Sequence, residues 1–303
     1  MFAEQVRSLL SPSNPVFTRP RQGKWIPNAL VATIVFALFV LVAFGGCAIG
    51  LKLVTGDSGQ ADRLLDGTFG LFVPFGLVTL LVLLWVRFVE KRPIATLGLM
   101  RAGALFGYAQ GFVLGLVFMA VVVGVMALGG GVNVQTDVVQ PGGYAALGTV
   151  LIMLAAYVIQ AGTEELHTRG WFMQVLGARY RPWIAVLVTS VIFSAMHWAP
   201  NPLAIVNLFL FGLFLALYSL RAGNIWGICG WHAAWNWTMG NVFGLAVSGN
   251  EQTGVLFDLQ TTGHPLLTGG DFGPEGSLVT TAVFLAGIAV VIMVRKETRP
   301  EST

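Results

Sequence analysis

The chain has 303 residues, 55% of them hydrophobic and 10% charged, with 38 Gly and 21 Phe. A soluble domain carries about 25% charged residues and about 45–50% apolar ones, so the composition excludes a water-soluble globule and points to an all-α, polytopic membrane helical bundle. The formal net charge of +3 reflects where membrane topology places the basic residues, and it gives no argument for a nucleic-acid partner. Cys47 and Cys229 both lie in apolar runs and offer neither a disulfide framework nor metal-ligand spacing.

In chain order, residues 1–28 are polar, carry Arg7, Arg19, Arg21 and Lys24, and read as a cytoplasmic N-terminal segment. Apolar runs then predict about eight transmembrane helices, near 29–51, 68–88, 104–128, 145–178, 183–198, 202–220, 224–247 and 277–294. The first run exceeds the roughly 7–15 apolar residues of a cleaved signal peptide and is expected to stay as a span. No internal repeat is evident. The bundle thus occupies 29–294, with a catalytic core at about 145–247 and a cytoplasmic tail at 295–303. The stretch 248–276, rich in Gly and acids, reads as an irregular extracytoplasmic loop, either a lid or a tether.

Alternate connections collect the positive charge. Arg7, Arg19, Arg21, Lys24, Arg87, Lys91, Arg92, Arg101, Arg169, Arg179, Arg181, Arg221, Arg295, Lys296 and Arg299 make 15 of the 17 basic residues on one side. The opposite side holds Lys52 and Arg63 with Asp57, Asp62, Asp66, Asp137, Glu251, Asp258, Asp271 and Glu275. By the positive-inside rule both termini are expected in the cytoplasm, and a bacterial or archaeal plasma membrane is the expected location.

After these loop charges are set aside, Glu164, Glu165 and Arg169 remain in the fourth span. His167 lies in the same span, His197 in the fifth and His232 in the seventh. Each ionisable group at mid-membrane costs about 2.5–3.5 kcal/mol, so a cluster needs mutual pairing or a function. Glu165 and Arg169 stand four apart with the acid first, the favourable order for an ion pair, and are expected to be structural support. Glu164 points about 100° away around the helix and is left as the free carboxylate. Counted from the Arg179–Pro182 turn, Glu164 and His197 both lie roughly 21 Å deep at 1.5 Å per residue, and His232 and Asn236 lie roughly 12 and 18 Å from the same face. Phe193, Trp171, Trp198, Trp231, Trp235 and Trp237 are expected to pack or anchor at interfaces.

A carboxylate in low dielectric can act as a general base on water that a neighbouring imidazole orients, which suits Glu164 and His197. His232 and Asn236, four apart on one helical face, could donate hydrogen bonds to an oxyanion. No serine or cysteine sits in a nucleophile motif, which favours direct attack by water.

Three short segments then resemble a known family. EELHTR at Glu164 to Arg169, FSAMH at Phe193 to His197 and HAAWN at His232 to Asn236 are similar to the EExxxR, FxxxH and HxxxN/D motifs of the CAAX-protease and bacteriocin-processing (CPBP, formerly Abi) membrane proteins, of the Rce1-like kind. The resemblance covers spans 4 to 7 and implies a glutamate-dependent intramembrane endopeptidase. It implies that Glu164 is the base, His197 positions water, His232 and Asn236 form the oxyanion site, and Glu165 and Arg169 support them. It implies no cofactor and no metal, and a peptide or protein substrate, prenylated or otherwise membrane-associated. His167 is not a motif position. Three alternatives stay open: a zinc hydrolase using Glu164, His197 and His232, a proton-coupled transporter, and a non-catalytic scaffold or immunity protein.

Overall fold

The computed structural model describes residues 2–134, 143–252 and 254–294. The tail expected at 295–303, with Arg295, Lys296 and Arg299, lies outside the described residues, as does Asp137. The chain is an all-α bundle built on eight helices: α1 (Ala29–Thr55), α2 (Thr68–Val89), α3 (Ala104–Leu128), α4 (Gly143–Arg179), α5 (Pro182–Met196), α6 (Pro202–Ala222), α7 (Trp226–Trp237) and α8 (Leu278–Met293). Among the described residues, α1, α2, α3, α4 and α6 are long and apolar enough to cross a membrane, and α5 and α8 are shorter apolar helices. Leu30, Leu41, Leu53, Leu105, Phe106, Leu128 and Leu151 are exposed on outward faces, where lipid rather than water satisfies them.

Local chemistry sets the helix ends. Asn28 accepts from the amide of Val31 to open α1, and Asn201, followed by Pro202, accepts from Ala204 to open α6. α6 closes on Gly223, whose φ of +71° a side chain would resist. Proline at the first position of α5 follows the Arg179–Arg181 corner. The fourth span reaches Arg179 as expected but is not uniformly α-helical. It widens into a π turn over Leu166–Phe172, directly after Glu165. Such turns pack more residues into each turn and cluster at functional sites.

The seam between α3 and α7 fixes the position of the site helix. Gly107, Gly111 and Gly115 recur every four residues along one face of α3. A Cβ at Gly111 would run into the carbonyl of Gly227, and one at Gly115 into the carbonyl of Trp231. Gly230 reciprocates from α7 against the carbonyl of Tyr108. Small residues at this spacing let backbones touch, the main packing device available where lipid supplies no hydrophobic drive between helices.

Two segments expected as plain connections are structured. The N-terminal residues form a helix at Phe2–Leu9 and a short one at Pro15–Thr18, and Phe17 is buried where a Cβ on Gly177 would strike its ring. In 248–276 the strand Leu259–Thr261 pairs antiparallel with Val132–Val134, and a short helix at Pro265–Thr268 precedes two 3₁₀ turns.

Arg92, expected as a charge of a connection, is instead buried at 1% exposure, beside Glu90 at 0%. Glu90 accepts from Arg92 Nε at 2.7 Å, from Trp85 Nε1 at 3.0 Å and from Trp171 Nε1 at 2.6 Å, while Arg92 reaches Thr96 and Gln174. Burial pulls the Arg92 guanidinium below its ordinary value, and the charge of Glu90 opposes that pull.

Placing a branched side chain in the glycine seam should separate α3 from α7. Gly111→Leu is expected to destabilise the folded protein by more than the about 1–3 kcal/mol typical of overpacking, because backbone rather than a flexible side chain stands in the way. Thermal unfolding in detergent checks this, with Gly124→Leu, where a Cβ meets nothing within 4 Å, as the neutral control.

Candidate functional site

α4, α5 and α7 carry the polar residues, and α6 packs behind them. Arg169 is fully buried. Its guanidinium donates to Glu165 Oε1 at 2.9 Å, to Thr168 Oγ1 at 2.9 Å and to the carbonyl of Gly212 on α6 at 3.1 Å. Its carbon sits 4.5 Å from the centroid of the Phe193 ring on α5, a cation–π contact. Glycine at 212 eases this approach, since a Cβ there would sit tightly at 3.0–3.2 Å from Ser190 and the guanidinium. The ion pair that the four-residue spacing predicted is therefore present and fully buried.

Glu165 does more than pair with Arg169. The same Oε1 lies 3.0 Å from Nδ1 of His232. A carboxylate can only accept, so Nδ1 carries the proton and Nε2 is turned outward. Nε2 lies 3.9 Å from Glu164 Oε2. Phe211 packs edge-on against the His232 ring, with centroids 4.7 Å apart, and holds it in place.

Glu164 is oriented by a residue that the motif reading missed. Gln160, one turn earlier, donates Nε2 to Glu164 Oε1 at 2.6 Å and accepts Asn236 Nδ2 on its own Oε1 at 3.1 Å. Because Glu164 cannot donate, the amide of Gln160 has only one orientation that serves both partners. Its signal in the sequence was an amide in an apolar span, four residues before a carboxylate. Glu164 Oε2 has no partner and is buried. His197 closes the end of α5, where its Nδ1 lies 2.7 Å from the carbonyl of Phe193. The carbonyl accepts, so Nδ1 is the protonated nitrogen and Nε2 offers a lone pair.

Glu164, His197, His232 and Asn236 all line one cavity of about 760 Å³, together with Gln160. Phe36, Val40 and Phe44 of α1 and Leu71, Phe75 and Val78 of α2 give it an apolar wall opposite. Val247, Ser248 and Gln252 cover it, and Tyr157 donates to Gln252 at 2.9 Å. Glu275, expected as a loop charge, is 3% exposed and anchors this cover. It accepts from Trp235 Nε1 at 3.1 Å and from the amide and hydroxyl of Ser248 at 3.0 and 2.7 Å. His167 stacks on Phe36, with centroids 3.9 Å apart, and on Trp171. Phe193 packs as expected and also supplies the His197 carbonyl partner. Trp237 donates to the carbonyl of Val150, and Trp198 is exposed. Among the described residues, no three His, Cys, Asp or Glu side chains are grouped to hold a metal ion.

An all-α bundle thus gathers a glutamate, two histidines and two amides around one cavity. Residues 146–238 match the family described as type II CAAX prenyl endopeptidase Rce1-like. This stretch, from the start of α4 to the end of α7, is similar to the Rce1-like domain of CAAX-type membrane proteases. No curated protein and no solved structure matches the chain.

Removing one partner of the buried ion pair leaves the other charge uncompensated. Arg169→Ala should therefore lower stability by about 3–5 kcal/mol, whereas Glu164→Gln, which keeps shape and can still bond Gln160, should fold with near-normal yield. Monodisperse yield after detergent extraction checks both variants, and equal loss in the two would contradict the division of roles between the neighbouring glutamates.

Proposed function

We propose that the chain is a glutamate-dependent endopeptidase that hydrolyses a peptide bond of a membrane-associated substrate, with Glu164 as general base. The single observation that carries this reading is the buried Oε2 of Glu164, a carboxylate oxygen without a hydrogen bond on a residue that, unlike Glu165, lines the cavity, which it shares with a histidine whose Nε2 offers a lone pair. A buried acceptor left unsatisfied costs about 1–3 kcal/mol, and an active site is where a protein tolerates that cost.

In this mechanism a water donates one hydrogen to Glu164 Oε2 and the other to His197 Nε2, which turns an oxygen lone pair towards the scissile carbonyl carbon. As the C–O bond forms, Glu164 takes the proton. The oxyanion receives hydrogen bonds from Asn236 Nδ2 and, when the His232 ring carries both protons, from Nε2; Glu165 at Nδ1 balances that charge. Glu164 then passes its proton to the leaving nitrogen as the C–N bond breaks, so the carboxylate is regenerated. Gln160 is the positioning residue, because it bonds the base and the oxyanion donor at once. Glu165 and Arg169 keep their supporting role, with the orientation of His232 added to it.

Glu164→Gln should abolish cleavage of a membrane-associated reporter peptide while leaving the protein folded. Asn236→Ala should cost roughly 10²–10³ in rate, the size of losing one oxyanion donor. Chelators should leave wild-type cleavage intact. Loss of activity with a chelator and its return with zinc would replace the glutamate-base mechanism with a metal one, and an unchanged phenotype in Glu164→Gln would favour a scaffold.

In a separate measurement, Gln160→Leu should lower kcat while leaving KM near the wild-type value, since Gln160 acts on the groups that meet the transition state. A rise in KM with kcat unchanged would instead assign Gln160 to substrate binding.

A further inference from the structure

The two ends of the bundle differ in charge and in closure. Arg19 donates to the carbonyl of Gly223 at 2.6 Å, Arg179 to that of Ile26 at 3.1 Å and Arg221 to that of Ile292 at 2.8 Å. The backbone of Lys24 bonds Glu90 at 2.9 Å, and Trp226 Nε1 bonds the carbonyl of Met100 at 2.7 Å. These bonds gather the basic connections at one end, which the positive-inside rule assigns to the cytoplasm.

The cavity is closed towards that end. None of its lining residues comes from the basic connections, and its floor is the buried trio Phe36, His167 and Phe193. Below the floor lie Trp171 and the Glu90–Arg92–Gln174 cluster. At the other end, Arg63, Gly67, Asn250 and Glu251 line the cavity and are exposed. α5 has 15 residues, so at 1.5 Å each it spans about 22 Å of a hydrocarbon core of about 30 Å. The helix that ends on His197 thus stops short of the far interface and leaves a notch there. Trp198, next in the chain after His197, is 90% exposed.

We propose that the cavity is served from the extracytoplasmic face, so that its substrate is a polypeptide segment presented at the outer leaflet and not a C-terminus kept in the cytoplasm. An apolar part of that segment would lie against Phe44, Leu71 and Phe75, with a peptide group at Glu164. The substrate class rests on the hydrolytic reading above; the direction of access does not.

Thiol labelling in the full-length protein tests the access, with Cys47 and Cys229 replaced by alanine. Thr68→Cys reports on the cavity wall and Arg101→Cys on the basic end. A membrane-impermeant maleimide should label Thr68→Cys in intact cells but not in inverted vesicles, and should label Arg101→Cys in the reverse pattern. Labelling of both from the same face would overturn the proposal, as would a Thr68→Cys that reacts only after detergent is added. The readout needs no catalysis, so an inactive protein with the expected labelling would sink the protease reading and leave the access route standing.

Discussion

A guanidinium removed from water is tolerated only where geometry supplies partners on several sides, and Arg169 meets that demand from three helices. Its own helix provides Glu165 and Thr168, α6 provides the carbonyl of Gly212, and α5 provides the face of Phe193. α7 joins through His232, which shares the Oε1 of Glu165. Moving any of these helices outward would strand a charge, at a cost of several kcal/mol. The helices that carry the candidate chemistry are therefore held together by the residue that performs none of it.

This arrangement separates two adjacent glutamates. Glu165 is 0% exposed and spends one oxygen on Arg169 and His232. Both carboxylates leave Oε2 without a hydrogen bond, but Glu164, about 100° away around the helix, lines the cavity and Glu165 does not. Glu164 is held by the amide of Gln160, with its Oε2 3.9 Å from His232 Nε2. The difference arises from the helical turn and from which neighbours each carboxylate reaches. A supporting charge and the proposed base can therefore sit side by side, with the fixed pair orienting the histidine that faces Glu164.

The bundle was legible in the sequence because the thickness of a bilayer sets helix length, and the predicted spans fall on the observed helices to within a few residues, except that the seventh, expected to reach 247, ends at Trp237 with a π turn to Val242. The Glu165–Arg169 pair was legible because side chains four apart on a helix meet. Gln160 lay outside the motif pattern although the same spacing rule ties it to Glu164. The burial of Glu90, Arg92 and Glu275 could not be read from loop sequences, since it depends on which distant tryptophans and hydroxyls close over them. The π turn after Glu165 has no composition of its own, and the glycines of α3 acquire meaning only once Gly227 and Gly230 are seen against them.

His167 shows how the closed end of the cavity is made. A hydrolytic site in a membrane needs water on one side and a seal on the other, because a continuous polar path across the core would leak. The imidazole of His167 stacks between Phe36 and Trp171 at 3.9 and 6.0 Å, and its Nε2 is left without a hydrogen-bond partner. A histidine in that position works as a flat packing surface, which explains why it lies beside the proposed base without a part in the proposed chemistry. The floor it completes makes the cavity one-sided.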